Sequence, residues 1–502
     1  MNRQIRIGGY IVLGLFVALI VNLTIYTTIL ADWINNNPNN SLRIIEEFSI
    51  DRGPIVTADG TTLADSVETT DTLKYLRQYP QGDDGAHVTG YDSFIVGRSL
   101  SEEAFNDFLD GSQAPVTLQT IIQRLEGDLK GDQVNLSIIW DAQEAAIQGL
   151  GSRRGAAFAV DPKTGAVLVS ASTPSYDPSV LSSHDAKSIN QNWEQLNEDP
   201  DKPLLARAFR ENYPPGSSFK IITAAAALEA GKTTLDTNYP TTTEWDPPDG
   251  KPIQNFAGEP CGGTLLESFA KSCNSVFAPL AVDAGAQKMY ETANAFGFNQ
   301  PVPFELGAVK SVYPDPSELT SQALLGQTGI GQFSVRETAL QNSLVSAAIA
   351  NGGMIMEPQI LGSVTDEKGN TLRKMKPNQW LTATTQQVAD DIKTMMIAVV
   401  TSGTGRSAAI PGIQVAGKTG TAQPGDGKQD HAWFTAFAPA DDPKVAVAVI
   451  VENAGGGGSQ AAPIAKSIIQ AVLNQGDTNT NGSGSSSSSP SPSGNSSRSD
   501  GN

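Results

Sequence analysis

The sequence predicts an α+β fold in which a membrane-spanning helix and a small mixed domain precede the main domain. Strand-like segments occur at both ends of the region 133–475, near residues 155–173 and 413–453, with helix-rich sequence between them. Segments placed in this way favour one central antiparallel sheet, built from both ends of the domain and covered by helices. A charge-free apolar run near the N-terminus and a polar C-terminal tail flank this arrangement.

The N-terminal run predicts an uncleaved membrane anchor. No charged residue occurs between Arg6 and Asp32, a span of roughly 25 residues, which is long enough to cross a bilayer. Arg3 and Arg6 precede it, so we expect the N-terminus in the cytoplasm and everything after Asp32 outside it. A cleaved signal peptide is the alternative, although its apolar region is normally shorter and ends in small residues.

Composition divides the chain into four parts. Residues 1–31 hold the cytoplasmic N-terminus and the anchor. We assign residues 32–132 to a non-catalytic pedestal or dimerisation-type domain. In it, "PIVTADGTTLA" predicts a hairpin that turns at Asp59 and Gly60. The main domain is assigned to 133–475, and the Ser/Gly/Pro-rich segment 476–502 has the composition of a disordered tail.

Charge and metal-ligand patterns exclude several functions. The chain has 34 Lys and Arg against 53 Asp and Glu, a net charge of -19, which argues against nucleic-acid binding. Its three histidines are far apart in the sequence and show no ligand spacing, so we expect no metal site and no cofactor.

Two cysteines, Cys261 and Cys273, are the only ones in the chain. An exported location permits a disulfide, which would close a loop of about a dozen residues and contribute up to roughly 3 kcal/mol on the chain-entropy model. Two free thiols, each a small buried hydrophobe, are the alternative.

The segment "NYPPGSSFKIITAAAALEAGK" carries the first chemical signal. We expect a buried helix that starts near Ser217 and stops at Gly231. Ser217 and Lys220 share a face, whereas Ser218 points elsewhere. Desolvation lowers the pKa of a lysine, and a neutral amine can take a proton from a neighbouring hydroxyl. Alternatively, Ser217 is an N-cap and Lys220 extends to water.

Two later segments favour the catalytic interpretation. "KSCNSVF" supplies Ser272-x-Asn274, and "GKTGTAQ" supplies Lys418-Thr419-Gly420 on a predicted strand. Ser-x-x-Lys, Ser-x-Asn and Lys-Thr-Gly in this order are the motif set described for penicillin-binding proteins and class A β-lactamases.

The chain resembles a class B penicillin-binding protein, a peptidoglycan D,D-transpeptidase, and most closely the actinobacterial proteins of type A. The resemblance extends from the anchor to Gln475. It includes "RGPIVTADGTTLA" and "GRSLSEEAFNDFLDG" in the pedestal, and "TPSYDPSVL", "GQTGIGQFSV", "AIANGG" and "HAWFTAFAP" in the main domain. It implies a transpeptidase domain of the penicillin-binding/β-lactamase-like type. One departure is Ala206, where the family often has asparagine.

The resemblance implies acyl transfer from a D-Ala-D-Ala stem peptide to an amine of a second stem peptide, with β-lactams as covalent inhibitors. Ser217 would be the nucleophile, Lys220 the general base and Ser272 a proton relay. Asn274 would orient Lys220 and bind the donor's amide, while Lys418 adds positive potential.

Substrate binding is carried over in the same way. Thr419 and Thr421 would offer hydroxyls to the terminal carboxylate, with Gly420 between them. Backbone N–H groups of Ser217 and Thr421 would form the oxyanion hole.

Other activities can be considered for a chain with these motifs. A D,D-carboxypeptidase or a β-lactamase can use the same fold, but a β-lactamase needs a water-activating group, and Glu305, the one carboxylate at about the right distance, has unlike surroundings. A β-lactam sensor, a scaffold and a bifunctional enzyme that also polymerises glycan are less compatible with the motifs and length. The resemblance implies a membrane glycan polymerase of the shape, elongation, division and sporulation type as partner.

Overall fold

The structure is a computed structural model that describes residues 2–30, 45, 47–113, 130–425 and 427–481. The predicted linker after the anchor and the tail from residue 482 onward lie outside the described residues. The N-terminal helix α1, Asn2–Thr24, continues as a π-helical turn over Ile25–Ile29. Its segment Arg6–Thr28 is long enough to cross a membrane and contains an 18-residue stretch with a mean hydropathy of 2.2. This agrees with the predicted anchor.

The strands of the described chain are β1 (Ile55–Val56), β2 (Thr62–Glu68), β3 (Tyr75–Gln78), β4 (Asp92–Ser93), β5 (Gly97–Arg98), β6 (Gln133–Leu136), β7 (Gly155–Val160), β8 (Val167–Thr173), β9 (Asn238–Thr242), β10 (Glu244–Trp245), β11 (Ile253–Gln254), β12 (Cys261–Thr264), β13 (Met354–Met356), β14 (Leu361–Thr365), β15 (Thr371–Lys374), β16 (Gln379–Thr382), β17 (Ala416–Ala422), β18 (His431–Ala438) and β19 (Val445–Val451).

The helices after α1 are α2 (Gly82–Thr89), α3 (Leu100–Ala104), α4 (Asn106–Leu109), α5 (Trp140–Leu150), α6 (Ala186–Glu198), α7 (Arg207–Arg210), α8 (Lys220–Glu229), α9 (Leu265–Lys271), α10 (Asn274–Ala284), α11 (Ala286–Ala295), α12 (Gln322–Gly329), α13 (Ala339–Ala350), α14 (Gln386–Thr401) and α15 (Gly457–Asn481). Short 3₁₀ turns cover Pro178–Val180, Gly216–Phe219, Phe256–Gly258, Pro316–Glu318 and Arg406–Ala408.

The main domain is built on a five-stranded antiparallel sheet in the order β17-β18-β19-β7-β8. Its strands come from both ends of the domain, so the predicted arrangement is confirmed. Helices α5 and α15 cover one face, and α13 covers the other. Every residue of β7, β8, β18 and β19 is buried. Burial on both faces explains why these strands are continuously apolar rather than alternating.

The pedestal sheet has six strands in the order β15-β14-β6-β1-β2-β3. The predicted hairpin is present as β1 and β2, with Gly60 in its turn at φ +86°. β6 pairs parallel with β1 and antiparallel with β14. Two strands from the middle of the main domain, β14 and β15, therefore extend this sheet, which the sequence analysis did not predict. They cover the backbone edge that β6 would otherwise expose.

The two cysteines and the C-terminal helix can be compared with what the sequence predicts. Cys261 and Cys273 form a disulfide with a Cα–Cα distance of 5.4 Å, so of the two alternatives left open by the sequence the disulfide is the one present. The closing helix α15, Gly457–Asn481, continues six residues past the boundary at Gln475 that composition gave. Once a helix is nucleated by a packed segment, each further residue adds one hydrogen bond at little cost.

A buried ion cluster holds the pedestal together. Glu102 is fully buried and accepts hydrogen bonds from the Nε atoms of Arg52 and Arg77, each at 2.7 Å. Arg52 also donates to the backbone carbonyl of Glu102 at 2.7 Å. Burial alone would raise the pKa of Glu102, but the two guanidinium groups outweigh it and hold this pKa below its ordinary value.

Removal of one member of this cluster should unfold the pedestal readily. We expect Glu102→Ala to lower the free energy of unfolding by about 3–5 kcal/mol, because two buried cations lose their counterion. The neighbouring Glu103 is exposed, and Glu103→Ala should change the free energy of unfolding by less than about 0.5 kcal/mol. Chemical denaturation of the full chain in detergent measures both, and equal effects of the two variants would contradict the assignment.

Candidate active site

Ser217 lies in the 3₁₀ turn Gly216–Phe219, which leads directly into α8. The serine is half-buried and lines an open cleft of about 1070 Å³. Gly216 adopts φ +57°, and a Cβ there would lie 2.4 Å from the carbonyl oxygen of Thr421. Only glycine therefore allows the turn to approach the β17 strand this closely. Gly231, at φ +63°, follows α8 as predicted.

Lys220 begins α8 and is completely buried, so it does not extend to water as the alternative interpretation of the sequence had it. Its Nζ donates to the backbone carbonyl of Ser272 and to Oδ1 of Asn274, both at 2.7 Å. The Oγ of Ser272 lies 3.3 Å from the same nitrogen. A neutral amine has two N–H donors and one lone pair. Its two short bonds use both donors and leave the lone pair for a hydroxyl proton.

The Ser-x-Asn motif bridges α9 and α10. Ser272 adopts the left-handed conformation, φ +65°, which is uncommon for a residue with a side chain, and Asn274 begins the next helix. Each end of the Asn274 amide has a partner, because its Nδ2 donates to the carbonyl of Gln254 at 2.8 Å. The structure thus supports the predicted orientation of Lys220 by Asn274, while the amide nitrogen is occupied by the loop that contains β11.

The third motif lies on β17, beside the nucleophile turn. Lys418 is completely buried, and its Nζ donates to Oγ of Ser272 at 2.8 Å and to the carbonyl of Thr419 at 2.9 Å. Thr419 and Thr421 both line the cleft. A Cβ on Gly420 would lie 2.8 Å from the carbonyl oxygen of Pro215, so this glycine permits close packing of β17 against the turn.

Burial favours the neutral form of both amines, and most strongly that of Lys220. Burial lowers the pKa of Lys220 well below that of an ordinary lysine, and the positive charge of Lys418 lowers it further. Burial also lowers the pKa of Lys418, to about 7. Because Lys220 experiences both effects, its neutral form is the more strongly favoured of the two. Ser272 Oγ lies between the two nitrogens and can pass a proton between them.

Ser218 performs a different task from Ser217. It is 2% exposed, its Oγ donates to the carbonyl of Pro215 at 2.9 Å, and it accepts a hydrogen bond from Asn342 Nδ2 at 3.1 Å. The carboxyl of Glu337 lies 3.4 Å away and is also buried. These contacts stabilise the back of the nucleophile turn, in agreement with the prediction that Ser218 points away from Lys220.

Sequence reasoning did not identify this supporting cluster. Glu337 also exchanges both backbone hydrogen bonds with Tyr213, and Trp433 Nε1 donates to the carbonyl of Pro214 at 3.0 Å. A signal was present in "RETALQNSLVSAAIANGG", where Glu, Gln and Asn precede or interrupt an otherwise apolar helix. Polar residues in a buried stripe usually have a specific partner.

Glu305 does not belong to the site. Its two carboxylate oxygens accept hydrogen bonds from the backbone of Ile360 at 3.1 Å and Leu361 at 3.4 Å, where β14 begins. It does not line the cleft that contains Ser217. This placement removes the carboxylate that the sequence analysis considered for a β-lactamase.

Comparison with known protein families identifies the class. The family model described as the penicillin-binding protein transpeptidase domain matches residues 155–470, and that of the penicillin-binding protein A dimerisation domain matches residues 52–134. The first match covers more than half of the chain, and it contains all three motifs. The chain therefore belongs to the penicillin-binding protein transpeptidase family.

Individual relatives show which members of the family this chain is similar to. The peptidoglycan D,D-transpeptidase PbpA of Mycolicibacterium smegmatis is 39% identical over 496 residues, which cover 95% of this chain and all of the relative. The protein of the same name from Mycobacterium tuberculosis is 38% identical over 499 residues, covering 94% and 99%. The predicted resemblance to actinobacterial proteins of type A is confirmed.

Solved structures support the fold. The ceftriaxone acyl-enzyme complex of M. tuberculosis penicillin-binding protein A matches with a TM-score of 0.81 at 37% identity, covering 86% of this chain and all of that one. The penicillin G acyl-enzyme complex of the same protein gives a TM-score of 0.79 at 36% identity, covering 84% and 100%. In both of those structures the protein carries a β-lactam as an acyl-enzyme.

The buried carboxyl of Glu337 should impose a pH dependence on stability. Burial raises its pKa well above the ordinary value, so the folded protein retains a proton that the unfolded chain releases. The free energy of unfolding therefore falls as pH rises between the pKa of the unfolded chain and the raised pKa of the folded protein, by up to about 1.4 kcal/mol per pH unit.

Glu337→Gln removes this proton linkage. We expect the melting temperature of this variant to gain on that of wild type as pH rises above the ordinary pKa of a glutamate. The exposed Glu194 provides the control, since Glu194→Gln should show a difference that does not change with pH. A pH-independent difference for Glu337→Gln would show that the carboxyl is charged in the folded protein.

Proposed function

We propose that this chain is a serine-type peptidoglycan D,D-transpeptidase that is acylated and inhibited by β-lactams. The observation that carries the proposal is the network that joins Lys220, Ser272 and Lys418 beside the Ser217 turn. Ser272 lines the same open cleft as Ser217 and is hydrogen-bonded to both buried amines, which supports acyl transfer by a serine with Ser272 as the proton relay.

In the first half-reaction, Ser217 Oγ attacks the carbonyl between the two terminal D-alanines. Lys220 accepts the hydroxyl proton through its lone pair, and the tetrahedral oxyanion is stabilised by the backbone N–H groups of Ser217 and Thr421. When the intermediate collapses, the peptide C–N bond breaks, and the leaving D-alanine takes the proton from Lys220 by way of Ser272. The product is an ester on Ser217.

In the second half-reaction, an amine of another stem peptide attacks this ester. The amine loses a proton to the Lys220–Ser272 pair, which returns it to Ser217 Oγ as the ester bond breaks. Lys418 adds positive potential beside the terminal carboxylate, and Thr419, Gly420 and Thr421 line its binding site. A β-lactam carries a comparable carboxylate and a strained amide, so it follows the first half-reaction and remains bound as an ester.

We assign the chain to the membrane in a single-pass orientation. Arg3 and Arg6 would remain in the cytoplasm, which places the catalytic domain on the outer side. We also propose the division that composition predicts: an anchor (1–31), a pedestal (32–132), a catalytic domain (133–475) and a tail (476–502). The two matched family models describe a transpeptidase and a dimerisation domain, so we propose a separate membrane glycan polymerase of the shape, elongation, division and sporulation type as partner.

Covalent labelling with penicillin tests the proposal. Ser217→Ala should abolish the mass increase of the intact protein, because the ester can form only on that oxygen. Ser218→Ala, the matched control in the same turn, should still be labelled nearly to completion, since Ser218 only supports the turn. Labelling that survives Ser217→Ala, or a wild-type protein that is never labelled, would refute the assignment.

A further inference from the structure

Thr404 lies outside the three motifs but contacts one of them. Its Oγ1 is 2.6 Å from Oγ1 of Thr419, the threonine of the Lys-Thr-Gly motif. Both residues line the cleft that contains Ser217. Thr419 is only 6% exposed, whereas Thr404 is exposed. The hydroxyl that motif analysis assigns to the substrate is therefore already hydrogen-bonded to a second hydroxyl that is more accessible.

The loop that carries Thr404 is fixed in place on two sides. The backbone N–H of Thr404 donates to the carbonyl of Ala270 at 3.2 Å, near the end of α9 and just before Ser272. A Cβ on Gly403 would lie 2.3 Å from the same carbonyl oxygen, and a Cβ on Gly458 would lie 2.3 Å from the carbonyl of Thr404. Close backbone packing of this kind positions a side chain accurately.

The chemistry of two paired hydroxyls points to an anion as ligand. In such a pair one hydroxyl donates to the other, and the second retains a free proton. A carboxylate can only accept hydrogen bonds, and hydrogen bonds to a charged group are stronger than neutral ones. The buried amine of Lys418, one residue before Thr419, adds positive potential to the same position.

We propose that Thr404 is a further substrate-binding residue, whose hydroxyl acts with that of Thr419 to bind the terminal carboxylate of the donor peptide and the equivalent carboxylate of a β-lactam. The inference rests on the proposed transpeptidase function and adds a residue to its site. If the pair only tied the loop to β17, its loss would affect every ligand equally.

The test compares two ligands that differ only at the carboxylate. Acylation rates of the full-length protein are measured by intact mass with benzylpenicillin and with its methyl ester, which lacks the negative charge. We expect Thr404→Val to lower the rate with benzylpenicillin on the order of tenfold to a hundredfold, as for a hydrogen bond to a charged group. The rate with the ester should change less than about twofold, and Thr404→Ser should restore reactivity with the acid.

Ser402 provides the matched control in the same loop. Its hydroxyl donates to the carbonyl of Ala398 at 3.1 Å within its own helix end, so Ser402→Ala should react like wild type. If the ester reacts too slowly to follow, the acylation rates with benzylpenicillin decide whether Thr404 binds the carboxylate. Thr404→Val should lower this rate, and Thr404→Ser should restore it.

The outcomes separate failure of the Thr404 proposal from failure of the proposed function. An unchanged rate in Thr404→Val, or an equal loss with acid and ester, overturns the role of Thr404 while wild-type acylation still supports the transpeptidase. A loss that Thr404→Ser does not restore also overturns it. A wild-type protein that forms no adduct with benzylpenicillin refutes the proposed function itself.

Discussion

Two lysine amines buried around one serine hydroxyl are the constraint on which the rest of this site depends. Lys220 and Lys418 are both completely inaccessible to solvent, and both donate to atoms of Ser272. Burying one unpaired cation is already costly, and two cations so close together repel each other strongly. Loss of a proton is the least costly solution, and it produces the neutral amine that can activate Ser217.

The fold provides this arrangement by bringing three separate elements to one point. Lys220 begins α8, Ser272 lies in the left-handed link between α9 and α10, and Lys418 lies on a strand of the central sheet. The backbone of Ser272 is in a conformation that costs free energy for a residue with a side chain, and such conformations concentrate at functional sites. The neighbouring Cys273 is covalently joined to Cys261, so the link is restrained from its other side.

Sequence patterns predicted the elements that carry local periodicity or short motifs. The strand with Lys418, the helix after Ser217 and the paired cysteines all have such signals, and the structure contains each of them. Other features depend on residues distant in sequence: the complete burial of Lys220, the contact of Glu337 with Ser218, and the pairing of Thr404 with Thr419. No local pattern encodes which distant segment will pack there, so these contacts became visible only in three dimensions.

The same limit explains why the pedestal was predicted as a separate unit. Composition changes near Gln133, but β6, which begins there, pairs with β1 on one side and β14 on the other. The carboxylate of Asp59 in the β1–β2 turn also accepts a hydrogen bond from the backbone N–H of Trp140, at 2.9 Å, where the first helix of the main domain begins. Since the pedestal sheet contains strands from both regions, displacing the pedestal would break backbone ladders that lead into the catalytic domain. The pedestal and the catalytic domain are therefore joined through shared strands, which no composition boundary in the sequence reveals.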